Sequence, residues 1–213
     1  MDAIVDNDIV FKLVCYGLIE EVLLGHREPQ RSVGVLGAAR YVIKKRITKK
    51  LQTSAATAIE RLEAFIDKVT VLEPTEAEQL MAADFELAAQ RAAVALDTGE
   101  SQLCAILIAR ALPLLLTGDK RAICAIEQLL TVDERLKSVF GKVKCLEQLM
   151  LDSLSEDNCS RYRSMICHEA GIDRTLAICF SCSSDDAAID GIMSGLKSYI
   201  NDLRSQAQHI LAA

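Results

Sequence analysis

The first 154 residues alternate short apolar runs with longer segments whose apolar residues recur at helical spacing. A short run rich in aliphatic residues predicts a buried strand, and a spacing of three to four residues predicts an amphipathic helix. Strands that alternate with helices pair in parallel, because each crossover helix returns the chain to the same end of the sheet. The alternation therefore predicts an α/β fold, with a parallel sheet of about five strands and helices on both faces.

The predicted strands are short, and a segment of helical spacing follows each of them. We expect strands at 3–6, 33–36, 69–72, 114–116 and 142–146. We expect helices at 8–24, with Gly17 as a candidate break, and at 38–50, 53–68, 75–96, 99–111 and 119–130, and a last one that ends near 154. Thr75 and Glu78 have the spacing of a capping box, in which two residues satisfy each other's backbone N–H groups.

The pattern changes near residue 155, beyond which no strand is convincing and two or three helices are expected. We interpret 1–154 as an α/β domain and 155–213 as a helical extension, packed on that domain or on a second copy of the chain. A homo-oligomer formed through the C-terminal helices is therefore expected. Ser183 and Asp186 predict a helix start. The helix that follows has an apolar stripe: Ile189, Ile192, Met193, Leu196, Ile200 and Leu203.

Three acidic residues follow or flank the predicted strands. Asp6 ends the first strand, Asp119 follows the fourth, and Glu100 opens the helix between them. Ligands of open parallel sheets bind beyond the carboxyl ends of the strands, so we expect the three carboxylates to converge there. Each also has a simpler interpretation, since Asp6 and Asp119 suit helix N-caps and Glu100 suits a first helical turn.

These segments resemble motifs of the PIN-domain family of ribonucleases. Val5-Asp6-Asn7-Asp8-Ile9-Val10 resembles the family's first strand, with Asp8 where the family has Asn. Thr98-Gly99-Glu100-Ser101 is similar to a later acidic position, and Leu115-Leu116-Thr117-Gly118-Asp119-Lys120 resembles the last strand-end acid. The resemblance covers 1–154 in order and spacing, and it leaves the final segment unmatched. It implies a three-layer PIN-like sandwich.

The resemblance also implies a metal-dependent nuclease that acts on RNA. Asp6, Glu100 and Asp119 would be its catalytic residues and metal ligands, with Asp8 as a further candidate and Thr117 in support. Carboxylates suit Mg²⁺ or Mn²⁺, since hard cations take oxygen ligands. The bound ion would activate water for attack on a phosphodiester. In small PIN toxins an antitoxin restrains this activity, so a regulatory protein partner is a further expectation.

The chain departs from the family pattern in the helix after the second strand. PIN nucleases usually carry a Glu there, whereas 38–50 contains no acid and Arg40 lies near the expected position. Asp8, Glu28 or Asp97 would have to substitute, or the site holds one metal weakly or none. The alternative function is a catalytically degenerate PIN-like module that binds RNA or a protein. A third class is a purely structural scaffold.

A basic run at 40–50 is the candidate for contact with an RNA backbone. It holds six positive charges in eleven residues of an otherwise acidic chain. The alternative is a solvated helix face paired with Glu60 and Glu63. The nucleic-acid-binding candidates are Arg40, Lys44, Lys45, Arg46 and Lys120.

Composition and the cysteines indicate the compartment. The net charge of −6 argues against a protein that binds nucleic acid by overall basicity. No apolar run is long enough to span a membrane, and the first residues do not resemble a signal peptide, so a cytoplasmic protein is expected.

Four cysteines have apolar neighbours and are expected as buried thiols: Cys15, Cys104, Cys124 and Cys145. For Cys159, Cys167, Cys179 and Cys182 we favour free thiols, with zinc and redox roles as alternatives.

Overall fold

The computed structural model describes residues 1–25, 32–51, 53–184 and 186–213. Its strands are β1 (Ala3–Val5), β2 (Val33–Leu36), β3 (Thr70–Leu72), β4 (Leu115–Leu116) and β5 (Val143–Lys144). Every pair of neighbouring strands is parallel, and the order across the sheet is β3-β2-β1-β4-β5. The predicted fold class, a five-stranded parallel α/β sheet with helices on both faces and further helices at the C-terminal end, is confirmed.

The α-helices of the described ranges follow the predicted order. They are α1 (Asn7–Tyr16), α2 (Ala39–Lys50), α3 (Ala55–Ile66), α4 (Glu76–Ala92), α5 (Thr98–Ala109), α6 (Lys120–Leu129), α7 (Leu146–Ser153), α8 (Glu156–His168), α9 (Arg174–Cys179) and α10 (Ile189–Gln206). A π-helical turn (Glu20–Leu24) and a 3₁₀ helix (Glu134–Val139) complete the set. None of the helices in these ranges combines the length and the apolar character needed to cross a membrane.

Both faces of the sheet are buried, each under its own hydrophobic core. Successive side chains of a strand point to opposite faces. Accordingly Ala3 and Val5 of β1 belong to the core beneath α1, α2 and α3, while Ile4 belongs to the core beneath α4, α5 and α6. Burial on both sides explains why β1, β2 and β4 are continuous apolar runs without polar alternation, whereas the edge strand β3 is exposed at Thr70 and Val71.

The order of the strands reverses between β1 and β4. From β1 the chain adds β2 and β3 on one side, and it then returns to add β4 and β5 on the other. Ile4 lies opposite Leu115 and Val5 lies opposite Leu116. The residues that follow these two strands therefore meet at the carboxyl edge of the sheet, at the point where a doubly wound fold leaves a crevice.

Two predicted helices end earlier than expected. The helix predicted at 8–24 stops at Tyr16, because Gly17 adopts the left-handed conformation at φ 72° and caps it. The helix predicted at 75–96 stops at Ala92, where Ala93 takes φ 54°. Apolar spacing continues beyond both points, so these limits are set by local capping that the spacing does not report.

The capping box of α4 is confirmed. Thr75 N donates to Glu78 Oε2 at 2.8 Å, and Glu78 N donates to Thr75 Oγ1 at 3.3 Å. The buried Glu78 also accepts from Arg110 Nε at 2.6 Å, and this contact lowers its pKa to about 2.

Ser54 occupies the N-cap position of α3 without a capping bond, since its hydroxyl donates to Glu169.

The C-terminal segment packs against the sheet domain of its own chain. α10 contacts α6, α7 and α9. Past α10, Leu211 forms a parallel β-bridge with Val143 at the outer edge of β5. The sequence did not predict this pairing, because the C-terminal segment has no strand pattern. The division at residue 154 and an oligomer through these helices remain predictions.

The helix start predicted at Ser183 is wrong. α10 begins at Ile189, and Asp185 lies outside the described residues. Arg163 donates to the carbonyl oxygens of Phe180, Ser181 and Ser184 and so fixes the preceding turn in a non-helical path. Tertiary contacts therefore override the local capping pattern.

The cysteines divide into free thiols and one disulfide. Cys15, Cys104 and Cys145 are free and buried, as predicted, whereas Cys124 is free but only partly buried, so its predicted burial is wrong. Cys159 and Cys179 are free and buried. Cys167 and Cys182 form a disulfide, so the free-thiol interpretation is wrong for this pair. The turn after α9 returns the chain to the end of α8 and brings the two Cα atoms within 5.0 Å, a proximity that sequence spacing does not reveal.

Loss of the disulfide is expected to destabilise the fold. A Cys167→Ser/Cys182→Ser variant should lose about 3 kcal/mol of unfolding free energy, because the bond closes a loop of 15 residues in the unfolded chain. Urea denaturation measures the loss. The control is Cys124→Ser, a partly exposed free thiol, expected within about 0.5 kcal/mol of the parent. Equal stability of all three proteins would contradict the prediction.

Candidate functional site

A cleft of about 510 Å³ lies at the carboxyl edge of the sheet, beside the point where the strand order reverses. Its walls come from the segments that follow β1, β2 and β4, from α2, and from the first turns of α5 and α6. The charged lining residues are Asp6, Asp8, Arg46, Asp97, Glu100, Asp119 and Arg121. The three acids predicted to converge therefore line one cavity.

Asp6 connects β1 to α1. Its backbone N–H donates to Leu116 O at 2.8 Å, so the pairing of β1 with β4 fixes its position. Its carboxylate caps α1 through a long 3.4 Å bond from Asp8 N and also accepts from Thr117 Oγ1 at 3.4 Å. The residue is 9% exposed. Burial, followed by the charge of Asp8, raises its pKa to about 6.

Glu100 enters the cleft from the first turn of α5. Asp97 and Glu100 form a capping box, with each side chain accepting the other's backbone N–H at 2.9 Å. Glu100 is 8% exposed, and burial together with the charges of Asp97, Asp119 and Asp6 raises its pKa to about 8. The Asp-x-x-Glu spacing is a signal for this helix start, which lies one residue before the predicted start at Gly99.

Asp119 follows β4 and caps α6. Its carboxylate accepts from Arg121 N at 2.8 Å and pairs with Arg121 Nη2 at 2.7 Å. Burial alone would raise its pKa, but the contacts with Arg121 outweigh burial and hold the pKa below its usual range. Asp119 is therefore a compensated anion, whereas Asp6 and Glu100 have no salt bridge within the described part of the chain.

Thr117 and Gly118 set the path of the chain between β4 and α6. The buried Thr117 hydroxyl donates to Asp6 and accepts from Asp119 N at 3.3 Å. The Thr117 side chain therefore both contacts a carboxylate and supports the turn. A Cβ on Gly118 would lie 2.4 Å from Asp8 Oδ2, so Asp8 occupies the space that a side chain would need.

Of the acids considered as substitutes for the missing Glu, two lie in the cleft. Asp97 takes part in the capping box. Asp8 pairs with Lys12 at 2.6 Å and with Arg46 at 2.8 Å. Glu28 lies outside the described residues. Lys12 was missed in the sequence, where the signal was a single lysine in the otherwise apolar stretch 9–16.

The predicted basic residues have different surroundings. Arg46 lies on the cleft wall. Arg40 and Lys44 pair with Glu63, as the solvated-face alternative expects, and Glu60 takes no part in these pairs. Lys45 is exposed.

The two cations at the start of α6 have different surroundings. Lys120 is outside the cleft lining, because its ammonium pairs with the buried Glu147 at 2.7 Å and lies over the Tyr199 ring. Arg121, which the sequence analysis did not select, lines the cleft through its pairing with Asp119.

The donor set limits the kind of metal site that the cleft offers. Within residues 1–25, 32–51, 53–184 and 186–213, no three Asp, Glu, His or Cys side chains form a group placed to hold a metal ion. Mg²⁺ commonly keeps several waters and binds only one or two protein carboxylates. Two acidic side chains are therefore enough to hold it. Asp6 and Glu100 fit this requirement, because they are buried acids that a cation would stabilise. Asp119 fits it less well, since Arg121 already compensates its charge.

Comparison with known proteins leaves the family open. No protein-family model matches the chain, and no curated protein matches it. Among solved structures, VapBC2 from Rickettsia felis, bound to a DNA fragment from the promoter, is similar with a TM-score of 0.46 and 9% sequence identity. The match covers 68% of this chain and 98% of that chain. A likeness of this size supports no statement about activity.

The raised pKa of Glu100 predicts a stability that depends on pH. With a pKa of about 8 in the folded state against an ordinary 4.5, Glu100 binds its proton more tightly after folding, so stability falls as pH rises from 4.5 to 8. A Glu100→Gln variant keeps an oxygen that accepts from Asp97 N. It should match the parent near pH 4.5 and exceed it by on the order of 3 kcal/mol at pH 8.

Urea denaturation at a series of pH values measures this difference. Glu76→Gln is the matched control, since Glu76 also lies in the first turn of a helix but is exposed and outside the cleft. Its difference from the parent should not grow with pH. A Glu100→Gln variant with no pH-dependent gain would refute the raised pKa.

Proposed function

We propose that the chain is a metal-dependent phosphodiesterase of PIN type that cleaves RNA. The observation that carries the proposal is the cleft at the carboxyl ends of β1 and β4, lined by Asp6, Glu100 and Asp119. Two of these acids are buried with raised pKa values, so their ionised forms are costly without a nearby cation. Acids in such a position at a ligand-binding edge are candidates for function.

A divalent cation, Mg²⁺ or Mn²⁺, would be held by Asp6 and Glu100. When bound, it would supply an activated water and offset negative charge on the phosphate. Asp119 would add negative potential to the cleft, with Arg121 beside it. Thr117 would orient Asp6 through its hydroxyl.

The arginines of the cleft would contact the substrate. Arg46 lies on the wall formed by α2, and Arg121 lies beside Asp119, with 79% of its side chain exposed. A guanidinium binds phosphate oxygens in pairs, so both residues suit the backbone of an RNA strand. The exposed Lys45 would extend this contact along α2.

A second candidate function is a degenerate module that binds RNA or a protein without cleaving RNA. The observation in its favour is that ion pairs already occupy two acids of the cleft, Asp8 with Arg46 and Asp119 with Arg121. The absence of an acid in 38–50 favours it as well. In this case the phosphate contacts would come from α2.

A cleavage assay tests the first candidate. Labelled single-stranded RNA is incubated with Mn²⁺ or Mg²⁺ and either the parent protein or an Asp6→Asn/Asp119→Asn variant. The parent should cleave only with metal, and the variant should lose on the order of 100-fold in rate, since even outer-shell changes at metal sites cost 10–100-fold. Asp133→Asn is the control, because Asp133 also caps a helix and pairs with an arginine, Arg135, outside the cleft.

The outcomes separate the candidates. Equal cleavage by the parent and the double variant, or no cleavage by either, would reject the phosphodiesterase. RNA binding that weakens with salt, survives Asp6→Asn/Asp119→Asn and is lost in Lys44→Gln/Lys45→Gln/Arg46→Gln would favour the binding module. A regulatory protein partner, a homo-oligomer and a cytoplasmic location remain predictions for either function.

A further inference from the structure

A buried lysine connects the cleft to the C-terminal segment. Lys12 lies one helical turn after Asp8 on α1 and is 8% exposed. Its ammonium is 2.6 Å from Asp8 Oδ2 and 2.7 Å from Asp173 Oδ2. Asp8 Oδ1 is in turn 2.8 Å from Arg46 Nη1. Four charges of alternating sign therefore run from the interior of the fold to the cleft wall.

Asp173 brings the C-terminal segment into this network. It lies just before α9, where its Oδ1 accepts from Leu176 N at 2.8 Å and its Oδ2 faces Lys12. The loop that carries it is closed by the Cys167–Cys182 disulfide. The segment that the PIN resemblance leaves unmatched thus supplies one of the four charges.

Asp8 is held from three sides. Lys12 and Arg46 each bind one of its oxygens, and Gly118 leaves room for its carboxylate where a Cβ would approach to 2.4 Å. Arg46 also lies over the Phe11 ring, 4.0 Å from its centroid. The guanidinium of Arg46 on the cleft wall is therefore held by Asp8 on one side and by the Phe11 ring on the other.

We propose that Lys12 is a positioning residue of the cleft: by bridging Asp8 to Asp173 it fixes Asp8 in the orientation that holds Arg46 on the cleft wall. Asp8 then acts as the carrier of an arginine and not as a metal ligand. If Lys12 served only to compensate the buried charge of Asp173, its contact with Asp173 would be enough. Lys12 also contacts Asp8, an acid of the cleft. The inference rests on the proposed function in one respect: contact between Arg46 and an RNA phosphate belongs to that function.

The test compares variants that separate positioning from charge compensation. Lys12→Met removes the charge and keeps the length of the side chain. Lys12→Met/Asp173→Asn removes both charges, so that no uncompensated carboxylate remains at Asp173, while Asn retains an oxygen for Leu176 N. Asp133→Asn is the control, as a capping Asp with an arginine partner away from the cleft.

The readout is rotation of the Arg46 guanidinium in ¹⁵N-arginine-labelled protein, with the signal assigned from an Arg46→Lys variant. Rotation should become about tenfold faster in Lys12→Met, since contacts of charged groups contribute at least that factor. It should stay fast in the double variant and remain slow in Asp133→Asn. The Arg110 signal, set by the pair with Glu78, reports that each variant is folded.

Unchanged rotation in folded Lys12→Met would overturn the inference. Slow rotation restored in the double variant would overturn it too, because Lys12 would then only compensate Asp173. If Lys12→Met does not fold, the double variant alone decides, with slow rotation as the contrary result. RNA cleavage is assayed separately: a parent that cleaves no RNA rejects the proposed function and leaves the rotation result valid.

Discussion

The parallel pairing of β1 with β4 is the contact on which the cleft depends. Through this pairing the chain returns to lie beside its own first strand, so it joins residues more than a hundred positions apart. The backbone bond from Asp6 N to Leu116 O brings Asp6 beside Thr117 and places the start of α6 next to the start of α1. A change that weakens this pairing would separate the acids even if every helix stayed intact.

Around that contact the acids have two electrostatic states. Asp8 and Asp119 are paired with arginines, whereas Asp6 and Glu100 are buried without a salt bridge in the described part of the chain. Burying a carboxylate without an opposite charge beside it is unfavourable for the ionised form, and this raises the pKa of the group. The raised pKa values of Asp6 and Glu100 have this cause. They mark the side of the cleft where a cation would lower the free energy most.

The strands and the meeting of the three acids could be predicted from the sequence, because a strand in a doubly covered sheet is an apolar run whose polar terminus marks the binding edge. The limits of the helices could be predicted only in part. Gly17 was a candidate break in the sequence, whereas Arg163 acts through distant carbonyl groups. The pairing of Lys12 with Asp173 was equally hidden. Ion pairs and the disulfide depend on where α8 and α9 pack, and local spacing carries no record of that.

The charge balance of the cleft makes different demands on the two candidate functions. Five acids and two arginines line it, so an approaching phosphate meets net negative charge. A hydrolase needs a cation there before it can hold RNA close to Asp6, because a phosphate and a carboxylate repel each other strongly where water is excluded. A module without a cation would have to bind RNA on the exposed basic face of α2 instead. Metal dependence of RNA binding near Asp6 is therefore the physical property that divides the two functions, even before cleavage is considered.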